Sequence, residues 1–142
     1  MNSTLIRAVQ IAAVLAVAYI LPACTFPTCA TESLMAPALN APADGATVNT
    51  NNPTMSWSYP DLFCVPEGYR IDLSIDPAFA DTSLSGGTGN PSTSWGPGSP
   101  LADCNLYYWR VAPINGTTLG PFSAGRSFTV DITGSCSMPS PV

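Results

Sequence analysis

The chain contains no histidine and no lysine, and four arginines stand against nine carboxylates. Without histidine there is no Ser-His-Asp or Cys-His nucleophilic system and no imidazole-ligated zinc site. An excess of carboxylates repels a phosphate backbone, so we expect no nucleic-acid partner. No two cysteines have C-x-x-C spacing, so neither a redox motif nor a zinc ribbon is indicated. We therefore expect no metal, no cofactor and no catalysis.

The first residues follow the order of an export signal. A short polar start that includes Arg7 precedes an apolar run over 8–21, and the small residue Ala23 stands just before Cys24. A membrane-spanning helix needs about 20 apolar residues, and this run is shorter because it stops at Pro22. We interpret residues 1–23 as a cleaved signal peptide, and residues 24–36 as a tether.

The string Leu21-Pro22-Ala23-Cys24 resembles the bacterial lipobox, with Pro22 where a small or β-branched residue is usual. The resemblance implies a diacylglyceryl group on the Cys24 sulfur. The product would be anchored to the outer face of the cell membrane or at the cell surface, because several acyl chains hold firmly where one binds marginally. The alternative is an ordinary signal that is cut after Ala30.

Short apolar-alternating segments separated by turn residues indicate an all-β chain. The clearest begins at Gly68 and has two faces. One is expected to carry Tyr69, Ile71, Leu73 and Ile75 into the core, and the other to point Arg70, Asp72, Ser74 and Asp76 to solvent. Further strands are predicted at 38–40, 55–59, 92–95, 106–113 and 128–132, the last with Phe128, Val130 and Ile132 alternating. Six or seven strands without an amphipathic helix favour a sandwich or a small barrel.

Several strings resemble a fibronectin type III domain, in particular its bacterial surface version. They are Pro53-Thr54-Met55-Ser56-Trp57, Gly68-Tyr69-Arg70-Ile71-Asp72, Asp76-Pro77-Ala78-Phe79, Leu101 with Tyr107 six positions on, Tyr108-Trp109-Arg110-Val111-Ala112, and Gly120-Pro121-Phe122-Ser123. The resemblance implies an immunoglobulin-like antiparallel sandwich of about seven strands over 37–133, followed by a tail over 134–142.

The same resemblance implies roles for single residues. Trp57 is similar to the core tryptophan of strand B, and Tyr107 to the tyrosine-corner residue of strand F, with Leu101 packed beneath the preceding loop. Trp95 has two interpretations, a core residue of strand E or an exposed stacking platform.

The resemblance also implies positions for the four cysteines other than Cys24. The family fold places Cys29 and Cys64 at one pole of the sandwich and Cys104 and Cys136 at the other, which favours the pairs Cys29–Cys64 and Cys104–Cys136. In an exported protein, disulfides are the usual role of well-spaced cysteines.

Five residues are candidates for a binding surface: Arg70, Trp95, Tyr108, Arg110 and Asn115. The two arginines on neighbouring strands, with Tyr108 and Asp72, could contact a glycan or a peptide. Alternatively, they form cross-strand charge pairs. Asn115-Gly116-Thr117 matches a glycosylation sequon, but it also fits a tight turn. The scattered acidic residues lack the spacing of a calcium loop and are expected to cap turns.

These observations predict a non-catalytic, lipid-anchored envelope protein with a binding domain for an envelope protein or a polysaccharide, present as a monomer. The alternatives are a spacer without a specific ligand and a secreted carbohydrate-active accessory module.

Overall fold

The computed structural model describes residues 33–137, which form nine strands. The predictions on Cys24, on Cys29 and on the signal peptide lie outside the described residues. The strands are β1 Ala38–Ala41, β2 Ala46–Val48, β3 Met55–Ser58, β4 Gly68–Ser74, β5 Gly86–Gly89, β6 Ser94–Trp95, β7 Asn105–Asn115, β8 Thr118–Leu119 and β9 Arg126–Val130. Between 33 and 137 no helix is long and apolar enough to cross a membrane.

The strands form two sheets. One has the order β1-β3-β6, and the other the order β2-β9-β7-β4-β5, with β8 paired to β7. The β4–β7 ladder is antiparallel and runs from the Gly68–Ile114 pair to the Ser74–Tyr108 pair. The pairing of β2 with β9 is parallel, a departure from the expected antiparallel pattern. The architecture is the predicted all-β sandwich.

The core lies between the sheets and uses the alternation that the sequence predicts. Trp57 packs edge-on against Tyr69, with ring centroids 5.2 Å apart. Tyr107 stacks on Phe128 at 5.7 Å. The other buried members are Leu39, Met55, Ile71, Leu73, Leu101, Trp109, Val111 and Val130. Burying each large side chain contributes about 1.5–3 kcal/mol relative to exposing it.

Two predicted core residues lie outside the core. Ile75 is 61% exposed because β4 ends at Ser74, where Asp76 accepts the N–H groups of Ala78 and Ala80 and turns the chain away. Ile132 is exposed because β9 ends at Val130.

The prediction that one face of β4 points to solvent is also wrong for two of its residues. Asp72 and Ser74 are buried. The chain that follows β4 and the chain that precedes β9 bring Phe79 and Phe122 over this face, on either side of Arg110.

Tyr107 forms the predicted tyrosine corner. Its hydroxyl accepts the Ala102 N–H at 2.9 Å and donates to the Ala102 carbonyl at 3.4 Å. Leu101 is buried beside it. The phenol therefore fixes the entry of the chain into β7.

Most acidic residues cap turns, as expected. Asp61, Asp76 and Asp81 each accept an N–H two residues further on. Asp44 accepts the N–H of Ser127 at 2.8 Å. This hydrogen bond, opposed in part by desolvation, lowers the pKa of the Asp44 carboxyl below its ordinary value.

The register defines two ends of the sandwich. Ala38 pairs with Ser58 and Gly68 with Ile114, so residues 33–37, the β3–β4 loop over 59–67 and the hairpin over 114–120 share one end. We call it the entry pole. Cys104 and Cys136 lie at the opposite end, the exit pole, where Asn105 pairs with Val130.

The exit pole contains the Cys104–Cys136 disulfide that the family resemblance implies, with Cα atoms 5.2 Å apart. Cys64, at the entry pole, is also disulfide-bonded. Its expected partner, Cys29, lies outside the described residues, so the Cys29–Cys64 pairing stays a prediction.

Replacing Tyr107 by Phe should lower the free energy of unfolding by about 1–2 kcal/mol, because the Ala102 N–H loses its acceptor. Urea denaturation of the variant measures the loss. Tyr108→Phe, at a half-buried position on the other face of β7, is the matched control and should change stability by less than about 0.5 kcal/mol. Equal losses in the two variants would contradict the role of the corner.

Candidate functional site

The predicted arginine patch is an ion-pair network centred on Asp72. The Asp72 side chain is 1% exposed, whereas those of Arg70 and Arg110 are 43% and 30% exposed. Arg70 Nε donates to Asp72 Oδ1 at 2.7 Å. Arg110 donates to Oδ2 from Nε at 3.1 Å and from Nη2 at 3.0 Å. One buried carboxylate thus holds both cations, which supports the charge-pair interpretation.

Two aromatic rings also contact Arg110. Its guanidinium carbon lies 4.2 Å from the ring centroid of Phe79 and 3.9 Å from that of Phe122. Cation–π contacts of this kind contribute roughly 0.5–2 kcal/mol each. The Arg110 guanidinium is therefore engaged within the domain, and a ligand on this face would compete with Asp72 and two phenyl rings for it.

Tyr108 lies on the same face of β7, two residues before Arg110 and paired with Ser74. It is half-buried. The structure thus places Arg70, Tyr108 and Arg110 on one sheet face, as predicted.

Asn115 belongs to a different feature of the molecule. Its Oδ1 accepts the Glu67 N–H at 3.0 Å, and Glu67 Oε2 accepts the Gly116 N–H at 2.7 Å. This reciprocal pair ties the β3–β4 loop to the β7–β8 hairpin. Gly116 has φ 56° as the first residue of the two-residue turn between Asn115 and Thr118, which a residue with a Cβ would enter only with strain. The tight-turn interpretation of this sequence is confirmed.

Trp95 is half-buried and packs against the core, in agreement with the first of its two interpretations. It pairs with Met55. Its indole lies across Gly86 so closely that a Cβ there would come within 2.5 Å of the ring. The same residue lines a cleft of about 200 Å³, together with Ser83, Leu84, Ser85, Pro97, Gly98 and Ser99.

The most exposed apolar side chains occur in the β3–β4 loop. Phe63 is 97% exposed, Leu62 is 84% exposed, and Val65 is exposed as well. Asp61 Oδ1 accepts the N–H groups of Phe63 and Cys64 at 2.8 and 3.1 Å. We call residues 62–65 the apolar loop.

The apolar loop is held at its base. Cys64 and Pro66 are buried between the exposed residues, and Cys64 is disulfide-bonded. Glu67 then joins the hairpin through Asn115. The loop therefore presents its side chains from an ordered frame.

Other exposed apolar residues lie near this loop. Leu119 is on the hairpin, and Met35, whose N–H donates to the Tyr59 hydroxyl, is on the entering chain. Of the eight exposed large apolar residues within 33–137, five lie at the entry pole: Met35, Leu62, Phe63, Val65 and Leu119. The remaining three, Ile75, Leu106 and Ile132, lie toward the exit pole.

Asp103, Cys104 and Cys136 bring three potential ligand atoms within 4.8 Å. Both sulfurs belong to the disulfide. Asp103 Oδ1 accepts the N–H of Ile132 at 2.8 Å. This cluster therefore has a structural role at the exit pole.

No protein-family model matches the chain, and none of the curated proteins matches it. Solved structures do. The FN1–FN3 domains of chicken CNTN1 superimpose with a TM-score of 0.51 at 18% identity, over 66% of this chain and 29% of that one. This chain thus spans less than a third of the CNTN1 fragment.

Two further structures are similar over most of their own length. A myokine structure matches with a TM-score of 0.50 at 20% identity, over 70% of this chain and 99% of that one. A computationally redesigned β-sandwich protein matches with a TM-score of 0.50 at 19% identity, over 69% and 91%. At these identities the likeness shows the fold, which is fibronectin type III-like.

Sequence reasoning missed the apolar loop. Leu62, Phe63 and Val65 follow the Pro60-Asp61 turn and do not alternate with polar residues. An apolar run between a turn and the next strand, flanking a cysteine, was the available signal.

Asp72→Asn should lower the free energy of unfolding by about 1.5–3 kcal/mol, because the buried side chain loses its charge-assisted hydrogen bonds to two arginines. Arg70→Ala should cost less than about 1 kcal/mol, because that side chain is nearly half exposed. Urea denaturation of both variants tests this order, and an equal or larger loss for Arg70→Ala would refute the central position of Asp72.

Proposed function

We propose that the protein is an exported, non-catalytic interaction domain, anchored at the cell envelope through lipid on Cys24 and making its contact through the entry pole. The observation that carries the contact surface is the apolar loop, where Phe63 and Leu62 are 97% and 84% exposed. The anchor is supported by the apolar run before Cys24 and by the likeness of 21–24 to a lipobox.

Single exposed apolar residues are ordinary on protein surfaces. A group of five at one end is different, since a concentration of exposed apolar side chains is typical of interaction sites. Aromatic anchors on a frame already ordered in the free protein also contribute most to contacts, because little conformational entropy is lost on binding. The Asp61 cap and the disulfide at Cys64 provide that order.

The other candidate surface of the sequence, the face with Arg70 and Arg110, is less suited to binding. Asp72 and two phenyl rings already engage Arg110. A ligand would have to displace these contacts. This shifts the proposed contact from the sheet face to the pole.

The Trp95 cleft is the second candidate surface, with a polysaccharide as ligand. An indole in the same cleft as Ser83, Ser85 and Ser99 gives a combination of apolar and hydrogen-bonding groups that suits a sugar ring. Ser85 Oγ already accepts the Leu73 N–H at 3.1 Å, which fixes its position. Under the spacer alternative, neither surface has a ligand.

Photo-cross-linking in intact cells tests the contact. A benzophenone amino acid replaces Phe63 in one variant of the full chain and the exposed Ile75 of the exit pole in another. We expect an adduct, to lipid or to a protein, from position 63 and none from position 75, because only the entry pole faces its partner. Denaturing electrophoresis and mass spectrometry detect the adducts.

A third variant carries the benzophenone amino acid in place of Trp95. Adducts from position 95 alone would move the binding surface to the cleft and contradict the entry pole. An absence of adducts at all three positions would support the spacer.

A further inference from the structure

We propose that the partner of the entry pole is the bilayer itself, with Leu62 and Phe63 inserted into the interfacial layer of the membrane that holds the anchor. The inference rests on the proposed lipidation of Cys24. It names the chemistry of the contact and fixes the orientation of the domain, entry pole toward the lipid and exit pole away from it.

The described chain begins at the pole that carries the apolar loop. Leu34 is buried against the hairpin, where a Cβ on Gly120 would come within 3.0 Å of the Leu34 Cβ. Met35 is fixed by its hydrogen bond to Tyr59, at the end of β3. Nine residue steps separate Ser33 from Cys24, and such a segment reaches at most about 32 Å. The lipid and the apolar loop therefore belong to the same side of the domain.

The disulfide at Cys64 sets a shorter limit on the distance between Cys24 and the apolar loop. Because Cys104 and Cys136 bond to each other, the sequence leaves Cys24 and Cys29 as the cysteines with which Cys64 could pair. A lipidated Cys24 has no free sulfur, so Cys29 is the partner under this proposal. Five residue steps and one disulfide then place the Cα atom of Cys64 within about 24 Å of Cys24. Phe63 is the adjacent residue.

The chemistry of the pole suits a lipid surface with little net charge. Leu62, Phe63 and Val65 present apolar surface, and the acidic residues that flank them in sequence are Asp61 and Glu67. Within 33–137 the arginines are engaged elsewhere: Arg70 and Arg110 at Asp72, and Arg126 at the carbonyls of Asn40 and Pro42. Insertion would thus be driven by apolar burial and aromatic placement at the interface, and zwitterionic lipid is the appropriate probe.

Tethering makes such a small contact sufficient. A few side chains bind a bilayer weakly from solution, but an anchored domain meets the bilayer as an intramolecular event at high effective concentration. An envelope protein would first have to reach the pole by diffusion. The membrane is the one apolar phase that every anchored copy has within reach of its tether.

The test uses the full chain, extracted from membranes and reconstituted in phosphatidylcholine vesicles with or without brominated phosphatidylcholine. Phe63→Trp places a fluorophore in the apolar loop. Ile75→Trp is the matched control, an exposed apolar position beyond the other end of β4. The unsubstituted protein supplies the background from Trp57, Trp95 and Trp109. Intact mass verifies acylation of each sample, and near-ultraviolet circular dichroism verifies the fold.

We expect the added fluorescence of Phe63→Trp to fall about twofold in brominated vesicles, because interfacial side chains lie about 5–10 Å deep, within reach of the bromines. The fluorescence added by Ile75→Trp should not change. Acylated, folded Phe63→Trp protein without quenching would overturn the insertion and leave the anchor intact. A cross-link from position 63 to a protein would then identify that protein as the partner. Protein without acyl groups would overturn the anchor and the insertion together.

Discussion

The pairing of β4 with β7 is the interaction on which the rest of the structure depends. Its seven paired positions place Tyr69, Ile71 and Leu73 beside Trp109 and Val111 on the core side. On the other side, the same register brings Asp72 opposite Arg110. One ladder therefore sets both the core and the buried ion pair. A shift of β4 by one residue would exchange the two faces of that strand, exposing Tyr69, Ile71 and Leu73 and burying Arg70.

The same register decides what the ends of the sandwich contain. The Gly68–Ile114 pair brings the β3–β4 loop beside the β7–β8 hairpin, where the Glu67 N–H donates to Asn115 and the Glu67 carboxylate accepts the Gly116 N–H. The Asn105–Val130 pair brings Cys104 toward Cys136. Each end is closed by contacts between segments far apart in sequence. A loop that exposes phenylalanine can remain ordered at such an end because its base is fixed on both sides.

Much of this fold was predictable from the sequence, since period-two alternation marks the faces of β4 and β7 and turn residues mark their ends. The prediction was wrong where the alternating pattern continues beyond the end of the strand. Ile75 and Ile132 continue the alternation, but β4 ends at Ser74 and β9 ends at Val130. Both side chains therefore lie beyond the hydrogen-bonded ladder. Alternation alone does not show where hydrogen bonding stops. The burial of Asp72 is not evident from the alternation, because it depends on Arg110 from the neighbouring strand and on Phe122, which lies far from Asp72 in sequence and packs on Arg110.

The candidate site was less predictable for a related reason. Arg70, Tyr108 and Arg110 were correctly placed on neighbouring strands, but whether they are free for a ligand depends on packing that the sequence does not display. Asn115 was singled out as a candidate ligand residue, and it proved to bridge two loops. The apolar loop was overlooked because apolar residues are ordinarily assigned to the core. Only the three-dimensional structure shows that Leu62 and Phe63 have no core to enter.

The central claim is that the lipid anchor and the apolar loop share one end of the domain, joined by a disulfide. Peptide mapping of the membrane-extracted protein under non-reducing conditions tests it most directly. The account predicts an amino-terminal peptide that begins at acylated Cys24 and is linked through Cys29 to the peptide containing Cys64. A bond from Cys64 to Cys24, or an amino terminus at Thr31 without Cys29, would contradict it.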